Sequence, residues 1–444
     1  MNTSTLNITR SLAFLQDVIN RRLQQFFHRS ETAVFTYPEL ILEPDSAPLN
    51  QLIAKQKMNI EEYVILLLAL APHLQPSFLD GMIQQYLPGG GDFPEIGGAK
   101  GTNYRGTLAT GETALFILAG DDLNRRLHAL QYFSEDHFFV KESILQLESV
   151  KEGEPRMSGK LVLQQEYVDL LTIGSASKPS FGPDFPAKLV TTRMHWDDLV
   201  LNPKTVGPIN DIKIWLEHNN TLLYDWGMER KIKPGYRALF YGPSGTGKTL
   251  TATLLGKQFC KDVYRVDLSQ VVSKYVGETE KNLEKIFNKA ERRDWILFFD
   301  EADALFGKRS NVQNAHDKYA NQEVSYLLQR VEDFPGLIIL ASNFKGNIDQ
   351  AFLRRFSCII HFPMPNHEER HKIWKASIPP KAALAEDIDL SAIAGKYELS
   401  GSAILSVVHY ASLQTICVDK TVITRHHIIE GIRKEFEKEE RVFT

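Results

Sequence analysis

The octet Gly-Pro-Ser-Gly-Thr-Gly-Lys-Thr occupies residues 242–249 and decides the fold. It fits the pattern G-x-x-x-x-G-K-[ST], in which a glycine-rich loop between a strand and a helix wraps a phosphate group with backbone N–H groups. Gly242, Gly245 and Gly247 let the main chain curl so that successive N–H groups point inward. The octet therefore predicts an α/β module that binds phosphate.

The side chains of the octet add the chemistry. Lys248 can reach the outer phosphates of a triphosphate, and the Thr249 hydroxyl can hold a magnesium ion. The helix that follows directs the positive end of its dipole at the anion. We therefore expect the phosphates to be bound by the loop and the first helical residues, which are Gly242, Pro243, Ser244, Gly245, Thr246, Gly247, Lys248, Thr249 and Leu250.

The neighbouring sequence has the order that the pattern requires. Residues 237–241 form a short strand-like run, and residues 249–259 place small and apolar side chains on one side of a predicted helix. A glycine-rich turn that contains Lys-Thr by chance would lack this order. The glycine-rich stretch at residues 89–106 has no G-K-[ST] ending, and we predict a surface loop there.

Length and composition limit the class of protein. With 444 residues the chain has room for two or three domains, and its net charge of -4 gives no global basic field for nucleic acid. A local basic patch remains as an alternative. Cys260, Cys358 and Cys417 are far apart and odd in number, which predicts buried thiols in a reducing compartment.

We expect a cytoplasmic protein that does not enter a membrane. The longest apolar run, at residues 63–72, is too short to span a bilayer, which takes about 20 residues. The N-terminus lacks the basic segment, the apolar run and the small-residue cleavage site of a secretory signal.

The hydrophobic pattern changes along the chain and predicts its domains. Residues 1–173 are mainly helical and are expected to bind a client or partner, and residues 174–189 are a linker rich in Gly, Ser and Pro. In residues 190–366 strands alternate with helices, which predicts a parallel sheet, and residues 367–444 are helical again.

The N-terminal domain is predicted to hold helices at residues 11–27, 59–70, 77–87 and 121–133, with Asn59 and Glu62 forming a capping box. Residues 144–148 and 160–164 alternate in polarity around a polar segment, which predicts a hairpin. Helices followed by a hairpin at residues 121–173 resemble a winged helix. Such a module binds DNA in some proteins and only protein in others.

A second strand ends in two acids. Residues 296–301 read Ile-Leu-Phe-Phe-Asp-Glu, and a strand this apolar is buried on both faces. Ligands bind outside the carboxyl ends of such strands. We predict that Asp300 holds Mg²⁺, mostly through water, and that Glu301 polarises the attacking water. A core strand that runs into a solvated acidic turn explains the run alone, but not its pairing with the phosphate-binding loop.

Over residues 190–444 the chain resembles the AAA branch of the AAA+ ATPases. The resemblance implies hydrolysis of ATP with Mg²⁺, a large ATPase domain at residues 190–366 and a helical lid at residues 367–444. Residues 337–343 resemble the strand that ends in sensor 1, so Asn343 would position water against the γ-phosphate. A turn residue at the end of a strand is the alternative for Asn343.

Residues 349–356 resemble the stretch that carries the arginine fingers. The resemblance implies that Arg354 and Arg355 reach the ATP of a neighbouring subunit, where a guanidinium neutralises charge on the transferring phosphoryl group. Fingers that act in trans imply a homo-oligomer, which in this family is a hexameric ring. A pair of surface arginines is the alternative.

Further segments match the family. Residues 400–404 resemble the sensor 2 region but lack its arginine. Residues 332–334 resemble the segment that signals between subunits. Val206 and Gly207 occupy the positions that line the adenine pocket in this family.

Residues 273–278 resemble a pore loop that carries Lys274, Tyr275 and Val276. An aromatic ring on such a loop can grip many polypeptides, which implies a protein client. Packing of Tyr275 into the core of its own subunit is the alternative.

Residues 367–371 read His-Glu-Glu-Arg-His and match H-E-x-x-H, the signature of zinc proteases. We reject a zinc site, because the match begins where the family starts its lid. Asn366 can cap the helix, and Glu368 and Glu369 suit its first turn.

The motifs together predict an ATP-driven ring that remodels a protein client or a protein assembly. A nucleic-acid loader that uses the winged helix and an ATP-switched scaffold are the alternatives. The Tyr275 loop and the mild acidity favour a protein client, and Glu301, Asn343 and the paired arginines argue against a scaffold. The whole chain also resembles bacterial AAA ATPases encoded beside phage-tail-like contractile injection systems, which implies a client within such an apparatus.

Overall fold

The computed structural model describes residues 3–28, 35–43, 47–87, 93–175, 178–179, 181–182, 185–268, 278–302, 325–343, 350–417, 421–441 and 443. The chain divides into two compact units, Met1–Lys178 and Pro179–Thr444, which we call the N-terminal and the C-terminal unit. The division falls within the segment that the sequence predicts as a linker.

The N-terminal unit is mainly helical, as predicted. Its helices are α1 (Thr3–Phe27), α2 (Pro48–Gln56), α3 (Ile60–Leu74), α4 (Phe78–Tyr86), α5 (Gly111–Ala119), α6 (Leu123–Ala129), α7 (Phe138–Lys141) and α8 (Gln165–Ile173). The helix predicted for residues 121–133 is shorter, because Asp122 caps α6 and the chain tightens into a 3-10 turn at Leu130–Phe133.

Helix α3 carries much of the core of this unit. Its residues from Tyr63 to Ala71 are all buried, as expected for a helix that is apolar on every side. The predicted capping box is confirmed: the Glu62 N–H donates to Asn59 Oδ1 at 2.9 Å, and the Asn59 N–H donates to Glu62 Oε2 at 2.7 Å.

Two small antiparallel hairpins complete the N-terminal unit. β1 (Ala99–Lys100) pairs with β2 (Thr107–Leu108), so the prediction of a plain surface loop at residues 89–106 was wrong for Ala99–Lys100. The Asp80 carboxylate holds this hairpin by accepting from the Thr107 N–H at 2.7 Å and from Lys100 at 3.0 Å. β3 (Leu145–Leu147) pairs with β4 (Leu161–Leu163), which confirms the hairpin predicted for residues 144–164; the winged helix stays a prediction.

Among the described residues, no single helix is long and apolar enough to cross a membrane. Ile60–Leu74 and Phe78–Tyr86 meet the requirements of length and composition only as a pair, and the pair is bent by 104°.

The C-terminal unit is built on a six-stranded sheet with the order β10-β6-β9-β8-β7-β5. All neighbours in it are parallel except β5, which runs antiparallel to β7, so the end of the predicted linker is an edge strand. The strands are β5 (Ala187–Val190), β6 (Tyr236–Tyr241), β7 (Val263–Val266), β8 (Ile296–Phe299), β9 (Leu337–Ser342) and β10 (Cys358–His361).

Helices cover both faces of this sheet. Side chains of β8 alternate between two buried clusters: Ile296 and Phe298 belong to one, and Leu297 and Phe299 belong to the other. A strand with apolar residues on both faces is central, as its sequence predicted. The helices are α9 (Pro203–Asn220), α10 (Lys248–Gln258), α11 (Glu278–Arg293), α12 (residues 325–333) and α13 (Gln350–Leu353).

The last part of the chain is helical, as predicted, and has its own core around the fully buried Trp374. We call this part, which begins at α14, the lid. Its helices are α14 (His367–Ser377), α15 (Leu390–Lys396), α16 (Gly401–Cys417) and α17 (Arg425–Lys438). A short parallel pair that the sequence did not reveal, β11 (Ala383–Leu384) with β12 (Val422–Ile423), accompanies them.

The expectation of buried thiols was wrong for two of the three cysteines. Cys260 and Cys417 are exposed, because each lies at or next to the end of a helix, and only Cys358 is half-buried, on β10. Burial raises the pKa of the Cys358 thiol to about 11, with a further contribution from the charge of Asp211.

Candidate functional site

A cavity of about 490 Å³ lies at the carboxyl ends of three central strands. β6 runs into the loop at Gly242, β8 ends just before Asp300, and β9 ends just before Asn343. Because parallel strands present their carboxyl ends at one edge of a sheet, segments far apart in sequence converge there. Lys248, Thr249, Asp300, Glu301 and Asn343 all line this cavity.

The backbone of the loop requires glycine at specific positions. Gly242 has φ 145° and Gly245 has φ 75°, both in a region that favours glycine. A Cβ atom at position 242 would collide with the Phe362 carbonyl oxygen, and one at position 245 would collide with the Ser402 hydroxyl. The loop therefore lies against the start of the segment that leads to the lid and against helix α16.

The Lys248 side chain is buried and points along the loop. Its ammonium donates to Gly242 O at 2.6 Å, to Pro243 O at 2.9 Å and to Asn343 Oδ1 at 3.4 Å. The last contact joins the loop to the end of β9. A phosphate that approaches Lys248 therefore also meets the side chain predicted to position water.

The two acids after β8 have different surroundings. Asp300 Oδ1 accepts the Glu301 N–H at 3.1 Å, and Arg265 NH1 lies 4.0 Å from Asp300 Oδ2. Glu301 is exposed and has φ 52°, a left-handed conformation that costs a non-glycine residue about 1–3 kcal/mol. The Ala302 N–H donates to Ala341 O at 2.9 Å, which fixes the chain just beyond this strained residue.

The donor set in the cavity fits a magnesium ion. Mg²⁺ binds oxygen, keeps several waters and takes one or two carboxylates together with substrate phosphates. The Thr249 hydroxyl and the Asp300 carboxylate are oxygen ligands of this kind, and both line the cavity.

Part of the cavity lining is apolar and was largely missed by the sequence reasoning. Leu199, Leu201, Ile373 and Leu405 line it, which gives a wall suited to a base rather than to phosphate. The run Asn202-Pro203, a cap residue followed by proline at the first helical position, was the available signal that a helix begins beside this wall.

Val206 and Gly207 are not among the described residues that line the cavity. Both lie in the first turns of α9, where Thr205 is 1% exposed and lines the cavity while Val206 is 40% exposed. Successive residues of a helix point in different directions, so a placement that is off by one residue turns the side chain to solvent. Residues 198–202 and Thr205 line the cavity there, and a role of Val206 and Gly207 beside the adenine stays a prediction.

Arg354 and Arg355 are exposed and do not line the cavity of their own chain. Arg355 NH1 lies 2.5 Å from Glu332 Oε1, in the segment that resembles the one that signals between subunits. Arg354 makes no ion pair with any residue that the structure describes.

The proposed sensor 2 region touches the phosphate-binding loop directly. The Ser402 N–H donates to Gly245 O at 3.2 Å, and the hydroxyls of Ser400 and Ser402 lie 3.2 Å apart. Lys274, Tyr275 and Val276, the residues of the predicted pore loop, lie outside the described residues.

The H-E-x-x-H residues serve the structure of the lid. Asn366 caps α14, as predicted, and also forms a capping box with Glu369. The His367 Nε2 lies 3.0 Å from Ser391 O, and the buried Arg370 donates to Ala394 O at 2.7 Å. In the described part of the chain, no group of three or more His, Cys, Asp or Glu residues is placed to hold a metal ion.

Residues 238–364 match the model of the ATPase family associated with various cellular activities (AAA). This segment is an AAA domain. It holds the phosphate-binding loop, the acids after β8, Asn343 and both arginines. The predicted α/β P-loop module of the AAA+ type, preceded by a mainly helical region, is thereby confirmed.

Similar proteins support the AAA domain beyond the matched segment. The proteasome-activating nucleotidase of Methanosarcina mazei is 33% identical over 211 residues, 46% of this chain and 50% of the relative. That of Aeropyrum pernix is 35% identical over 214 residues, 46% of this chain and 52% of the relative. The peroxisomal ATPase PEX6 of Penicillium chrysogenum is 27% identical over 303 residues, 62% of this chain and 20% of the relative. The chain spans about half the length of the two nucleotidases.

Proposed function

We propose that this chain is an ATP-hydrolysing ring ATPase that remodels, unfolds or disassembles a protein client. The observation that carries the proposal is the convergence of Lys248, Asp300, Glu301 and Asn343 on one cavity beside a phosphate-binding loop. Phosphoryl transfer needs positioning and charge neutralisation more than covalent chemistry, and this set of side chains supplies both.

Each side chain has a distinct task in the proposed reaction. The loop N–H groups and Lys248 bind the β- and γ-phosphates, and Glu301 orients and polarises the attacking water. Asn343, which already contacts Lys248, holds that water in line with the γ-phosphate. Thr249 and Asp300 would hold Mg²⁺, which would supply neutralisation of charge on the phosphate oxygens.

We propose that Arg354 and Arg355 act on the ATP of a neighbouring copy. Both are exposed and outside their own cavity, which is the placement that action in trans requires. An arginine finger supplied from a neighbour stabilises the charge of the transition state. The active form is then a homo-oligomer, and we propose the hexameric ring of the resembled family.

A protein client is supported by two observations. The relatives include nucleotidases that, by their names, activate the proteasome. The segment with Tyr275 resembles a loop that grips polypeptides through an aromatic ring. We propose residues 1–173 as the client-binding domain, followed by a linker at residues 174–189, the ATPase domain at residues 190–366 and the lid from residue 367. A component of a bacterial contractile injection apparatus is the proposed client.

Phosphate release by the purified chain with Mg-ATP tests the proposal. The parent should hydrolyse ATP, and an unfolded protein such as casein should stimulate it, whereas Lys248→Ala should be inactive. Stimulation by single-stranded DNA instead of casein, with a steep dependence on salt, would favour the nucleic-acid alternative.

The Tyr275→Ala variant tests the grip on the client. It should keep the basal ATPase rate and lose the ATP-dependent unfolding of a fluorescent protein that carries an unstructured tail. Unfolding at the parental rate would show that Tyr275 does not grip the client.

A separate experiment identifies the client. Proteins that the Glu301→Gln variant captures in the presence of ATP are the candidates.

A further inference from the structure

A hydrogen bond between two side chains, in addition to the bond from the Ser402 N–H to Gly245 O, joins the lid to the rest of the C-terminal unit. Asn202 Nδ2 donates to Glu369 Oε1 at 3.0 Å across a sequence separation of 167 residues. Asn202 precedes α9, Glu369 lies in the first turn of α14, and both line the cavity. The bond therefore connects two parts of the cavity lining that belong to different elements, the start of α9 and the lid.

The amide of Asn202 has a defined orientation. Its Oδ1 accepts the Lys204 N–H at 3.0 Å and so caps α9, which leaves its Nδ2 group to donate to Glu369. A flipped amide would lose the cap and turn an oxygen toward a carboxylate. Asn202 thus caps α9 with its amide oxygen and contacts α14 with its amide nitrogen.

Glu369 is equally constrained. It is 7% exposed, its Oε2 accepts the Asn366 N–H at 2.9 Å, and its own N–H donates to Asn366 Oδ1 at 2.9 Å. No Lys, Arg or His of the described residues forms an ion pair with it. A buried carboxylate without a cationic partner depends on its hydrogen bonds, so the bond from Asn202 is costly to remove.

Both ends of the bond are anchored. The Thr205 hydroxyl donates to His361 O at 2.7 Å, which ties the first turn of α9 to the end of β10. On the lid side, Arg370 donates to Ala394 O at 2.7 Å and to Pro365 O at 2.6 Å, which ties α14 to α15. A change in the distance between Asn202 and Glu369 therefore moves whole helices of the lid, not one side chain.

We propose that Asn202 and Glu369 are positioning residues that hold the lid against the apolar wall of the cavity, so that their hydrogen bond sets how tightly the cavity holds a nucleotide. The proposal rests on the proposed ATP site. Glu369 caps its own helix with one oxygen and holds the lid with the other. Loss of the bond frees α14 to move away from α9, and the base loses contact with Ile373 and Leu405, which belong to the lid.

A donor–acceptor exchange tests this inference. Asn202→Asp keeps an oxygen for the Lys204 N–H but turns a carboxylate toward Glu369. Glu369→Gln keeps an oxygen for the Asn366 N–H but turns an NH₂ group toward the NH₂ group of Asn202. The double variant restores one donor facing one acceptor, with the order reversed. Asn202→Ser keeps the cap with a side chain too short to reach Glu369.

The measurements are the Kd of ATP by equilibrium titration, with kcat and KM of phosphate release. Asn202→Asp, Asn202→Ser and Glu369→Gln should each raise Kd and KM about tenfold, as expected for loss of a hydrogen bond to a charged group. The kcat at saturating ATP should stay within about twofold, because the residues around the γ-phosphate are unchanged. The double variant should return to within about threefold of the parental Kd. Asp122→Asn, which alters a helix cap in the N-terminal unit, is the control.

Parental Kd in Asn202→Ser and Glu369→Gln would overturn the inference while leaving the proposed function intact. A double variant that binds ATP more weakly than both single variants would also overturn the inference. That result would show that the two substitutions weaken binding additively instead of restoring the bond. A parent chain that neither binds nor hydrolyses ATP would refute the proposed function itself.

Discussion

Arg355 is paired with Glu332 within one chain, its NH1 2.5 Å from Glu332 Oε1. Its neighbour Arg354 has no such partner among the described residues. Two adjacent arginines therefore start from different states, one held against its own subunit and one free of ion pairs in the part of the chain that the structure describes. To act on a neighbouring nucleotide, Arg355 must break its ion pair with Glu332 and bind a phosphate instead.

Alanine at either arginine should lower kcat without weakening ATP binding. Arginine fingers contribute about a thousandfold or more to kcat, and neither residue lines its own cavity. We expect Arg354→Ala and Arg355→Ala to reduce phosphate release by at least about a hundredfold, with the Kd of ATP within about threefold of the parent. Arg292→Ala, at an exposed arginine of α11, should match the parent. Normal turnover in the Arg354→Ala, Arg355→Ala double variant would refute action in trans.

Removal of the Lys248 ammonium should weaken nucleotide binding. Lys248 supplies the charge at the loop and contacts both Gly242 O and Asn343 Oδ1, so its loss removes a phosphate ligand. We expect Lys248→Ala to raise the Kd of ATP about a hundredfold in an equilibrium titration. Lys233→Ala, at an exposed lysine paired with Asp333, should leave the Kd unchanged. Equal affinities of both variants would argue that phosphate binds elsewhere.

The capping box of α3 should contribute measurable stability. Asn59 accepts the Glu62 N–H, and replacing such a cap by alanine costs about 1 kcal/mol. We expect Asn59→Ala to lower the free energy of unfolding by about this amount in urea titrations. Ser77→Ala is the matched control, because Ser77 precedes α4 without a side-chain cap bond and should change little. A larger effect for Ser77→Ala than for Asn59→Ala would contradict the structure.

Thiol labelling should separate Cys358 from the other cysteines. Burial raises the pKa of Cys358 to about 11, so only about 0.1% is thiolate at pH 8. Because the pKa is raised, the thiolate, which is the reactive form, is only a small fraction of Cys358 well below pH 11. That fraction grows as the pH rises. With iodoacetamide and peptide mass spectrometry, Cys358 should react far more slowly than the exposed Cys260 and Cys417, and its rate should rise about tenfold per pH unit between 7.5 and 9.5. A rate for Cys358 that is independent of pH would contradict this assignment.

Local sequence rules predicted most of the elements that carry the site. Strands β6, β8 and β9 are apolar runs that are followed directly by Gly242, Asp300 and Asn343, so their type and their ends were visible in the sequence. The capping boxes at Asn59 and Asn366 are also local, because each depends on a residue three positions further on. Such features need no knowledge of the rest of the chain.

Contacts between distant segments were not predictable in this way. Nothing near Asn202 shows that its amide meets Glu369, since that contact depends on how the lid closes on the sheet. The antiparallel edge strand β5 carries no periodic signal that separates it from the preceding linker. On α9, Thr205 lines the cavity while its neighbour Val206 does not, and a position along a motif does not fix the direction of such helical side chains.

Phosphate release by the Glu301→Gln variant tests the central claim most directly. Glutamine keeps the size of the side chain but cannot act as a base toward the attacking water. We expect this variant to bind Mg-ATP with a Kd close to that of the parent and to release phosphate at least about a hundredfold more slowly, as general-base catalysis contributes about 10²–10⁴-fold. Phosphate release at the parental rate, with ATP bound equally well, would contradict the assignment of Glu301 and with it the proposed hydrolytic site.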